Sequence, residues 1–241
     1  MTQKLPKITI AIDGFSSTGK STVAKQLAKE LGYVYVDTGA MYRAITLYAI
    51  QHNMIGQGFF DQSLLIKSLP EIQLAFKFNE KLGFGEMYLN ENNVEKEIRS
   101  LQVSDFVSLV AEVSEVRSYL VKLQREMGKN KAVVMDGRDI GSVVFPDAEL
   151  KVFLIADPKI RAERRLLEMK EKGDYVDFES IYSNIVERDK IDSTRSDSPL
   201  VKVSDAIEVD ASNINKEEQF SRILQLAHKA IIAKLEEETT S

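Results

Sequence analysis

The sequence predicts an α/β fold in which a parallel five-stranded sheet is flanked by helices. One observation is a short apolar segment at 8–12, typical of a buried strand, which precedes a glycine-containing loop and an amphipathic helix at 22–31. The other is the return of the same apolar pattern between helical segments, at 33–36, 132–135, 150–155 and 206–209. Strands that alternate with helices favour a parallel sheet covered by helices.

The loop after the first strand has the pattern G-x-x-x-x-G-K-[ST]. Such a loop directs several backbone N–H groups and a helix N-terminus at one point, which binds phosphate. Lys20 can then reach the β- and γ-phosphates, and the Ser21 hydroxyl can ligate Mg²⁺. A chance match in a turn is the alternative, which the flanking strand and helix disfavour. We therefore predict that a nucleoside triphosphate is bound by Gly14, Phe15, Ser16, Ser17, Thr18, Gly19, Lys20, Ser21 and Thr22.

Composition excludes several classes of function. The formal net charge of −5 does not favour nucleic acid as a partner, since nucleic-acid binding normally needs a basic face. The absence of cysteine excludes disulfides, thiolate nucleophiles and cysteine-ligated metals. No apolar run approaches the ~18 residues of a membrane span, and residues 1–6 carry no secretory signal pattern. We expect a cytoplasmic protein with no membrane partner.

The middle of the chain interrupts the alternation of strands and helices. A polar turn at 37–39 leads into a predicted helix at about 40–52. Polar and apolar residues then alternate over 71–78 and 84–89, which predicts an antiparallel hairpin with one solvated face. We therefore interpret about 54–98 as an inserted subdomain.

Three later segments have helical character. Apolar residues recur at helical spacing from Leu101 to Met127, which we interpret as core packing. Pro158 occupies the favourable first position of another helix, and a charged section at about 159–198 follows, in which we expect an irregular segment that closes over a site. The last predicted helix covers about 216–235.

Asp136 directly follows the apolar strand at 132–135. It should lie at the carboxyl edge of the sheet, where open parallel sheets bind ligands, and could hold Mg²⁺ or its waters. Its position alone fits a capping or turn aspartate equally well. The following Gly137-Arg138-Asp139 favours a site, because an arginine and a second acid are costly to bury unless they are paired.

Arginines provide the second signal. Singly, each is expected to be solvated, as most of the 32 Lys and Arg residues must be. Guanidinium groups bind phosphate oxygens bidentately, however, and phosphoryl transfer needs positive charge around the transferred group. Their grouping late in the chain favours that use: Arg161, Arg164 and Arg165 in one helix, then Arg188 and Arg195 with Asp189 and Asp192 between them.

Four strings resemble the bacterial cytidylate kinase family: 14–22, 37–43 (DTGAMYR), 136–148 (DGRDIGSVVFPDA), and Glu187-Arg188-Asp189 with Asp192. The likeness runs from about Ile8 to Leu235. It implies a nucleoside monophosphate (NMP) kinase of the P-loop NTPase class, a single kinase domain over 1–241. Its parts would be a core (about 1–38, 100–157 and 199–241), an NMP-binding subdomain with the hairpin insertion (about 39–99) and a short lid (about 158–198).

The resemblance also implies an activity and a set of site residues. The γ-phosphoryl group of ATP would move to CMP or dCMP, with Mg²⁺ as cofactor. The catalytic residues would be Lys20, Arg138, Arg188 and Arg195, and the Mg²⁺ ligands Ser21 and Asp136. Arg161, Arg164 and Arg165 would join the loop in binding ATP. CMP would be bound by Thr38, Arg43, Ser108, Arg117, Asp139, Arg188 and Asp192. We expect a monomer, because nothing in the sequence resembles a coiled coil.

Some positions depart from the family pattern, and two alternatives stay open. Phe15 and Ser17 replace the more usual proline and glycine, and Ile191 and Ser193 stand where some relatives have arginines. Thr38 keeps the hydroxyl of the commoner serine. The alternatives are another NMP kinase, such as an adenylate or uridylate kinase, and a non-catalytic ATP-sensing module. The D-G-R-D string and the pair of Ser108 and Arg117 favour cytosine, and the set of arginines favours transfer over sensing.

Overall fold

The structure is a computed structural model that describes residues 5–171, 173 and 175–240. Two units are distinguished: the first comprises the chain up to Val34 and from Asn130 onward, and the second comprises Tyr35–Lys129. Residues 1–4, which contribute to the expectation of a cytoplasmic protein, lie outside the described residues. The division into core, NMP-binding subdomain and lid stays a prediction.

The described residues form ten strands and eight α-helices. The strands are β1 (Thr9–Gly14), β2 (Val34–Asp37), β3 (Ile55–Gly56), β4 (Phe59–Phe60), β5 (Leu74–Asn79), β6 (Phe84–Leu89), β7 (Asn92–Asn93), β8 (Val133–Gly137), β9 (Leu150–Ile155) and β10 (Ile207–Asp210). The helices are α1 (Lys20–Leu31), α2 (Thr38–Gln51), α3 (Gln62–Ser68), α4 (Leu101–Ala111), α5 (Ser114–Gly128), α6 (Pro158–Glu171), α7 (Phe178–Thr194) and α8 (Lys216–Thr240).

The main sheet has five strands in the order β10-β9-β1-β8-β2, and the predicted α/β fold class is confirmed. Strand β1 pairs in parallel with β8 on one side and with β9 on the other, and β10 pairs in parallel with β9. Every residue of β1 is buried, as expected of a central parallel strand covered on both faces. In the pairing of β1 with β8, Ile12 lies opposite Asp136. The glycine loop, which follows β1, and Asp136, near the end of β8, therefore lie at the same edge of the sheet.

The second unit contains the predicted antiparallel hairpin. Strands β5 and β6 pair from Leu74 opposite Leu89 to Asn79 opposite Phe84, and β7 extends this sheet to three strands. The short ribbon of β3 and β4 and the helix α3 were not predicted, because segments this short carry little periodicity.

The apolar stripe from Leu101 to Met127 belongs to two helices, α4 and α5, and the burial of Val103, Val107 and Leu120 confirms its interpretation as core packing. Val113 separates them with an extended backbone at ψ 113°. The side chain of Val113 is nevertheless buried, as are those of Val110 and Val116. The hydrophobic spacing therefore continues across the break and could not reveal it.

The expectation of an irregular segment within 159–198 is wrong, because α6 and α7 cover most of it. Apolar side chains hold these helices together, with a small core of Ala162, Met169, Ile181 and Ile185. The last helix is also longer than predicted and continues to Thr240. Among the described residues, no helix has both the length and the apolar character needed to cross a membrane.

Gly14 provides a test of how tightly β1 and β9 pack. Its φ is +144°, and a Cβ would lie 2.1 Å from the carbonyl oxygen of Leu154. Gly14→Ala should therefore lower the free energy of unfolding, measured in urea, by about 3 kcal/mol or more through strain and overpacking. Gly32→Ala is the control, since its φ is +65° with open space around the site, and should lose about 1–2 kcal/mol. Equal losses in the two variants would contradict the close contact.

Candidate active site

The N-terminus of α1 is open to an anion. The preceding residue, Gly19, has a left-handed backbone at φ 91°, and no side chain caps the helix. The first turn also carries no acidic residue. The backbone N–H groups of the first turn therefore form the positive end of the helix dipole, and no acidic side chain of that turn neutralises them. This arrangement binds phosphate.

Side chains from three elements bind carbonyl groups of the loop. Lys20 Nζ donates to the Phe15 carbonyl. Arg161 Nη1 donates to the Ser16 carbonyl at 3.2 Å, and Gln219 Nε2 donates to the Thr18 carbonyl at 3.2 Å. These hydrogen bonds satisfy carbonyl oxygens that would otherwise repel an anion. They also fix the backbone conformation of the loop through side chains of α1, α6 and α8.

The two departures in the loop have visible consequences. Ser17 has φ 57°, a left-handed conformation in which the more usual glycine would be unstrained. The ring of Phe15 meets Phe153 edge to face at 6.2 Å and lies 5.3 Å from the Arg161 guanidinium. The hydroxyl of Ser16 is buried and has no hydrogen-bond partner among the described residues, so it remains available to a ligand.

Ser21 and Asp136, the predicted Mg²⁺ ligands, lie side by side. The Ser21 hydroxyl donates to Asp136 Oδ2 at 2.9 Å. A hydroxyl and a carboxylate are oxygen ligands of the kind Mg²⁺ takes, with substrate phosphates and waters completing its shell. The described residues contain no group of three or more acidic or histidine side chains placed to hold a metal. The pair therefore fits an ion that arrives with a nucleotide.

Arg138 and Asp192 form an ion pair in the first unit. Arg138 Nε donates to Asp192 Oδ2 at 2.7 Å, and Arg195 Nη1 lies 3.7 Å from Asp192 Oδ1. Burial alone would raise the pKa of Asp192, but the charge and hydrogen bond of Arg138 outweigh it and lower that pKa. Arg195 also donates to the Ser198 carbonyl through Nε and Nη2. Asp192 thus holds two of the predicted catalytic arginines.

Arg188 carries the least compensated charge of this group. No described residue accepts a hydrogen bond from its guanidinium or forms an ion pair with it. Burial, with the like charges of Arg138 and Arg165 adding to it, lowers the pKa of Arg188 to about 10. A half-buried cation beside other cations is stabilised by an incoming anion, so Arg188 and Arg165 favour a phosphate.

Lys20 is buried in the same unit, and burial lowers its pKa well below the usual value. The positive charge of Arg138 adds to this effect, while Asp136 and Asp13 oppose it. Negative phosphates at the loop would reverse the balance and favour the charged ammonium.

The three arginines of α6 have different surroundings. Arg161 is 2% exposed, and its guanidinium donates to Ala156, Ser16 and Asp189, whereas Arg164 donates only to the Ala211 carbonyl, at 2.6 Å, among the described residues. Arg164 also lines a cavity of about 340 Å³ beside the loop. Other residues that line this cavity are the loop and α1 residues Ser17, Gly19, Thr22, Val23 and Gln26, and the α8 region residues Ile214, Asn215, Lys216 and Gln219. The cavity thus adjoins the predicted phosphate site.

The second unit holds four of the residues predicted to bind CMP: Thr38, Arg43, Ser108 and Arg117. Thr38 is buried at the start of α2, where the Asp37 carboxylate accepts the Ala40 N–H at 2.9 Å and the Arg99 guanidinium at 2.8 Å. Arg43 Nη1 donates to Ser104 Oγ at 2.8 Å. The predicted polar turn therefore begins α2 as expected, through an N-cap and an ion pair.

Ser108 lies on α4 and Arg117 on α5. Both side chains are buried, and Arg117 Nη1 donates to the Ala111 carbonyl at 3.3 Å. Its guanidinium lies 5.7 Å from the centre of the Tyr42 ring. Asp139, which lies in the first unit as Arg188 and Asp192 do, is buried directly before a single π-helical turn at Ile140–Val144.

Residues that the sequence did not single out also contact the site. Asp13 accepts the backbone N–H groups of Ile140 and Gly141 at 2.8 and 2.7 Å, and burial raises its pKa to about 6. An acid at the end of a buried strand, the signal used for Asp136, could have identified it. Gln219 reaches the loop from 201 residues away, and no local pattern marks it.

The parallel sheet, the open helix N-terminus after a glycine loop, and the serine–aspartate pair define a nucleotide-binding protein of the P-loop class. A family model described as cytidylate kinase matches residues 10–229. The cytidylate kinase of Flavobacterium johnsoniae is 64% identical over 227 residues, covering 94% of this chain and 99% of that protein. Those of Flavobacterium psychrophilum and Parabacteroides distasonis are 59% and 52% identical, each covering 99% of the relative and 93% and 94% of this chain. The chain belongs to the cytidylate kinase family.

The lowered pKa of Lys20 predicts that phosphate binding is linked to protons. Because an anion at the loop raises that pKa, Mg·ATP should be bound with net proton uptake at pH values between the Lys20 pKa of the free protein and that of the complex, above the range in which Asp13 titrates. Calorimetric titration in buffers of different ionisation enthalpy measures the uptake.

Lys20→Met should abolish this uptake and weaken binding. Lys216→Met, which removes a lysine that lines the neighbouring cavity, should leave the uptake unchanged. Equal heats in all buffers for the unmodified protein would show that the Lys20 ammonium is already fully charged.

Proposed function

We propose that this protein is a cytidylate kinase, which transfers the γ-phosphoryl group of ATP to CMP or dCMP and releases ADP with CDP or dCDP. The observation that carries the proposal is membership of the cytidylate kinase family over residues 10–229, with the glycine loop inside that range. The comparisons give no support to either alternative, a different NMP kinase or a non-catalytic ATP-sensing module.

ATP is proposed to bind with its phosphates at the N-terminus of α1 and its nucleoside in the cavity beside the loop. The loop residues Ser17, Gly19 and Thr22 line that cavity, so a nucleoside in it would adjoin the proposed phosphate site. Lys20 would neutralise the β- and γ-phosphates. Arg164, which also lines the cavity, is the arginine of α6 best placed for the nucleoside of ATP. Arg165, whose charge acts on Arg188, is proposed to contact the phosphates of ATP.

Ser21 and Asp136 would hold Mg²⁺, because their oxygens already lie 2.9 Å apart beside the loop. When bound with ATP, the ion offsets charge on the β- and γ-phosphate oxygens. The oxygen donors of this pair suit an ion that keeps much of its hydration.

The acceptor phosphate is proposed to meet Arg188, Arg138 and Arg195 in the first unit. Asp192 supports this role by pairing with Arg138 and Arg195, and Arg188 remains without an acidic partner among the described residues. In the second unit, Thr38 and Arg43 are proposed as phosphate contacts by their match to the family motif. No side chain needs to act as a base, since the acceptor phosphate is ionised near neutral pH; alignment and charge stabilisation suffice.

Ser108, Arg117 and Asp139 are proposed to recognise cytosine. Cytosine presents an amino group where uracil presents a carbonyl oxygen. A carboxylate such as Asp139 accepts from the amino group and repels the carbonyl, so it can separate CMP from UMP. A monomeric state and a cytoplasmic location stay predictions from the sequence.

Substrate choice is the first test of the proposal. With Mg·ATP, the purified protein should form ADP rapidly with CMP or dCMP and slowly with AMP, as measured by a coupled ADP assay. Fastest turnover with AMP would indicate the other kinase class, and the absence of turnover with every monophosphate would indicate a sensing module.

Lys20→Ala should lower kcat by roughly 10²-fold or more, because it removes charge that stabilises the transferred group. Thermal unfolding and circular dichroism establish that the variant is folded. A folded variant with unchanged kcat would place Lys20 outside the reaction.

Asp139→Ala should reduce the ratio of kcat/KM for CMP over that for UMP by about 10-fold, since it removes the group that favours the amino edge. Asp139→Asn keeps the size of the side chain and separates the effect of charge from that of packing. An increase in KM for ATP with unchanged discrimination would contradict the assignment.

A further inference from the structure

The guanidinium of Arg161 is already occupied by protein groups. Nε donates to the Ala156 carbonyl at 2.9 Å, Nη1 to the Ser16 carbonyl at 3.2 Å and to Asp189 Oδ1 at 3.0 Å, and Nη2 to Asp189 Oδ2 at 2.5 Å. An arginine has five N–H donors, and these bonds use four of them. With the side chain 2% exposed, a single buried N–H remains.

The partners of Arg161 come from two parts of the proposed site. Ser16 is a residue of the phosphate loop, and the ring of Phe15 lies 5.3 Å from the guanidinium. Asp189 lies on α7, directly after Arg188 and one helical turn before Asp192. A bidentate guanidinium–carboxylate pair fixes the orientation as well as the distance of its members. Arg161 therefore links the loop backbone to α7, the helix that carries Arg188 and Asp192.

We infer that Arg161 is a positioning residue for the phosphoryl-transfer reaction, which with Asp189 sets the phosphate loop relative to α7, and that it is not an ATP ligand. This inference rests on the proposed function. It assigns the ATP contacts of α6 to Arg164 and Arg165, although all three arginines share one short stretch of helix.

The consequence is a specific pattern of kinetic effects. If α7 shifts relative to the loop, Arg188 and Asp192 move away from the line of transfer, and a displacement of about 1 Å can reduce turnover 10²-fold. The adenosine part of ATP, in the cavity beside Arg164, would be little affected. Loss of either member of the Arg161–Asp189 pair should thus act on kcat and should produce the same defect.

The experiment compares Arg161→Lys, Asp189→Asn and the double variant with Arg164→Lys as the matched control. Steady-state kinetics gives kcat and both KM values, calorimetry gives the Kd of ATP alone, and thermal unfolding monitors the fold. We expect Arg161→Lys and Asp189→Asn each to lower kcat by about 10-fold or more, with the Kd of ATP changed by less than about 3-fold. The double variant should be no worse than either single variant, because both remove one interaction. Arg164→Lys should instead weaken ATP binding.

Three results would overturn the inference. One is a weaker Kd for ATP in Arg161→Lys while Asp189→Asn behaves as the unmodified protein, which is the behaviour of a direct ligand. Another is additive losses in the double variant. The third is a lowered thermal midpoint with kcat unchanged in both single variants, which is a purely structural role. If a variant of Arg161 does not fold, Asp189→Asn decides the matter, since Asp189 is partly exposed.

Failure of the proposed function is recognised separately. In that case the unmodified protein would lack turnover with CMP and dCMP. The Kd of ATP would still be measurable for every variant, and a loss of affinity confined to Arg161→Lys would still refute the positioning role.

Discussion

The interaction on which the site depends is the ion pair of Arg138 with Asp192. The first unit buries Lys20, Arg138 and Arg188 near one another, and their mutual repulsion would be unfavourable without a compensating carboxylate. Asp192 provides one negative charge, held by Arg138 at 2.7 Å and approached by Arg195 at 3.7 Å. Burial lowers the pKa of Arg188, and the positive charges of Arg138 and Arg165 add to this effect even though Asp192 and Asp189 oppose it. A site in this state gains stability when a polyanion arrives.

The same principle explains the shape of the phosphate loop. Its backbone N–H groups can face a ligand only if its carbonyl groups are satisfied elsewhere, and Lys20, Arg161 and Gln219 provide the donors. Gly14 completes the arrangement because a larger residue would collide with β9. Ser17 shows that the loop shape dominates local preference, since it holds a left-handed backbone where glycine is more usual.

Local patterns in the sequence were sufficient for the sheet, the loop and Asp136. The apolar runs of strands, the spacing of glycines and an acid at the end of a strand are all properties of residues that are neighbours in the sequence. They can therefore be recognised without the structure. The same patterns did not reveal the break between α4 and α5, because the buried side chain of Val113 continues the apolar spacing across it. They also failed where apolar contacts between α6 and α7 gave regular structure to a charged segment.

The sequence by itself predicted a phosphate-binding loop at residues 14–22 and indicated the cytidylate kinase family, to which the chain belongs. Only the tertiary structure decided which neighbours each arginine of α6 has. Arg161 meets Ser16 across 145 residues and Asp189 across 28, while Arg164 and Arg165, a single turn further along α6, have other neighbours. Hydrogen-bond partners that are distant along the chain produce no local sequence pattern. The contacts of such a side chain are therefore known only once the chain is folded.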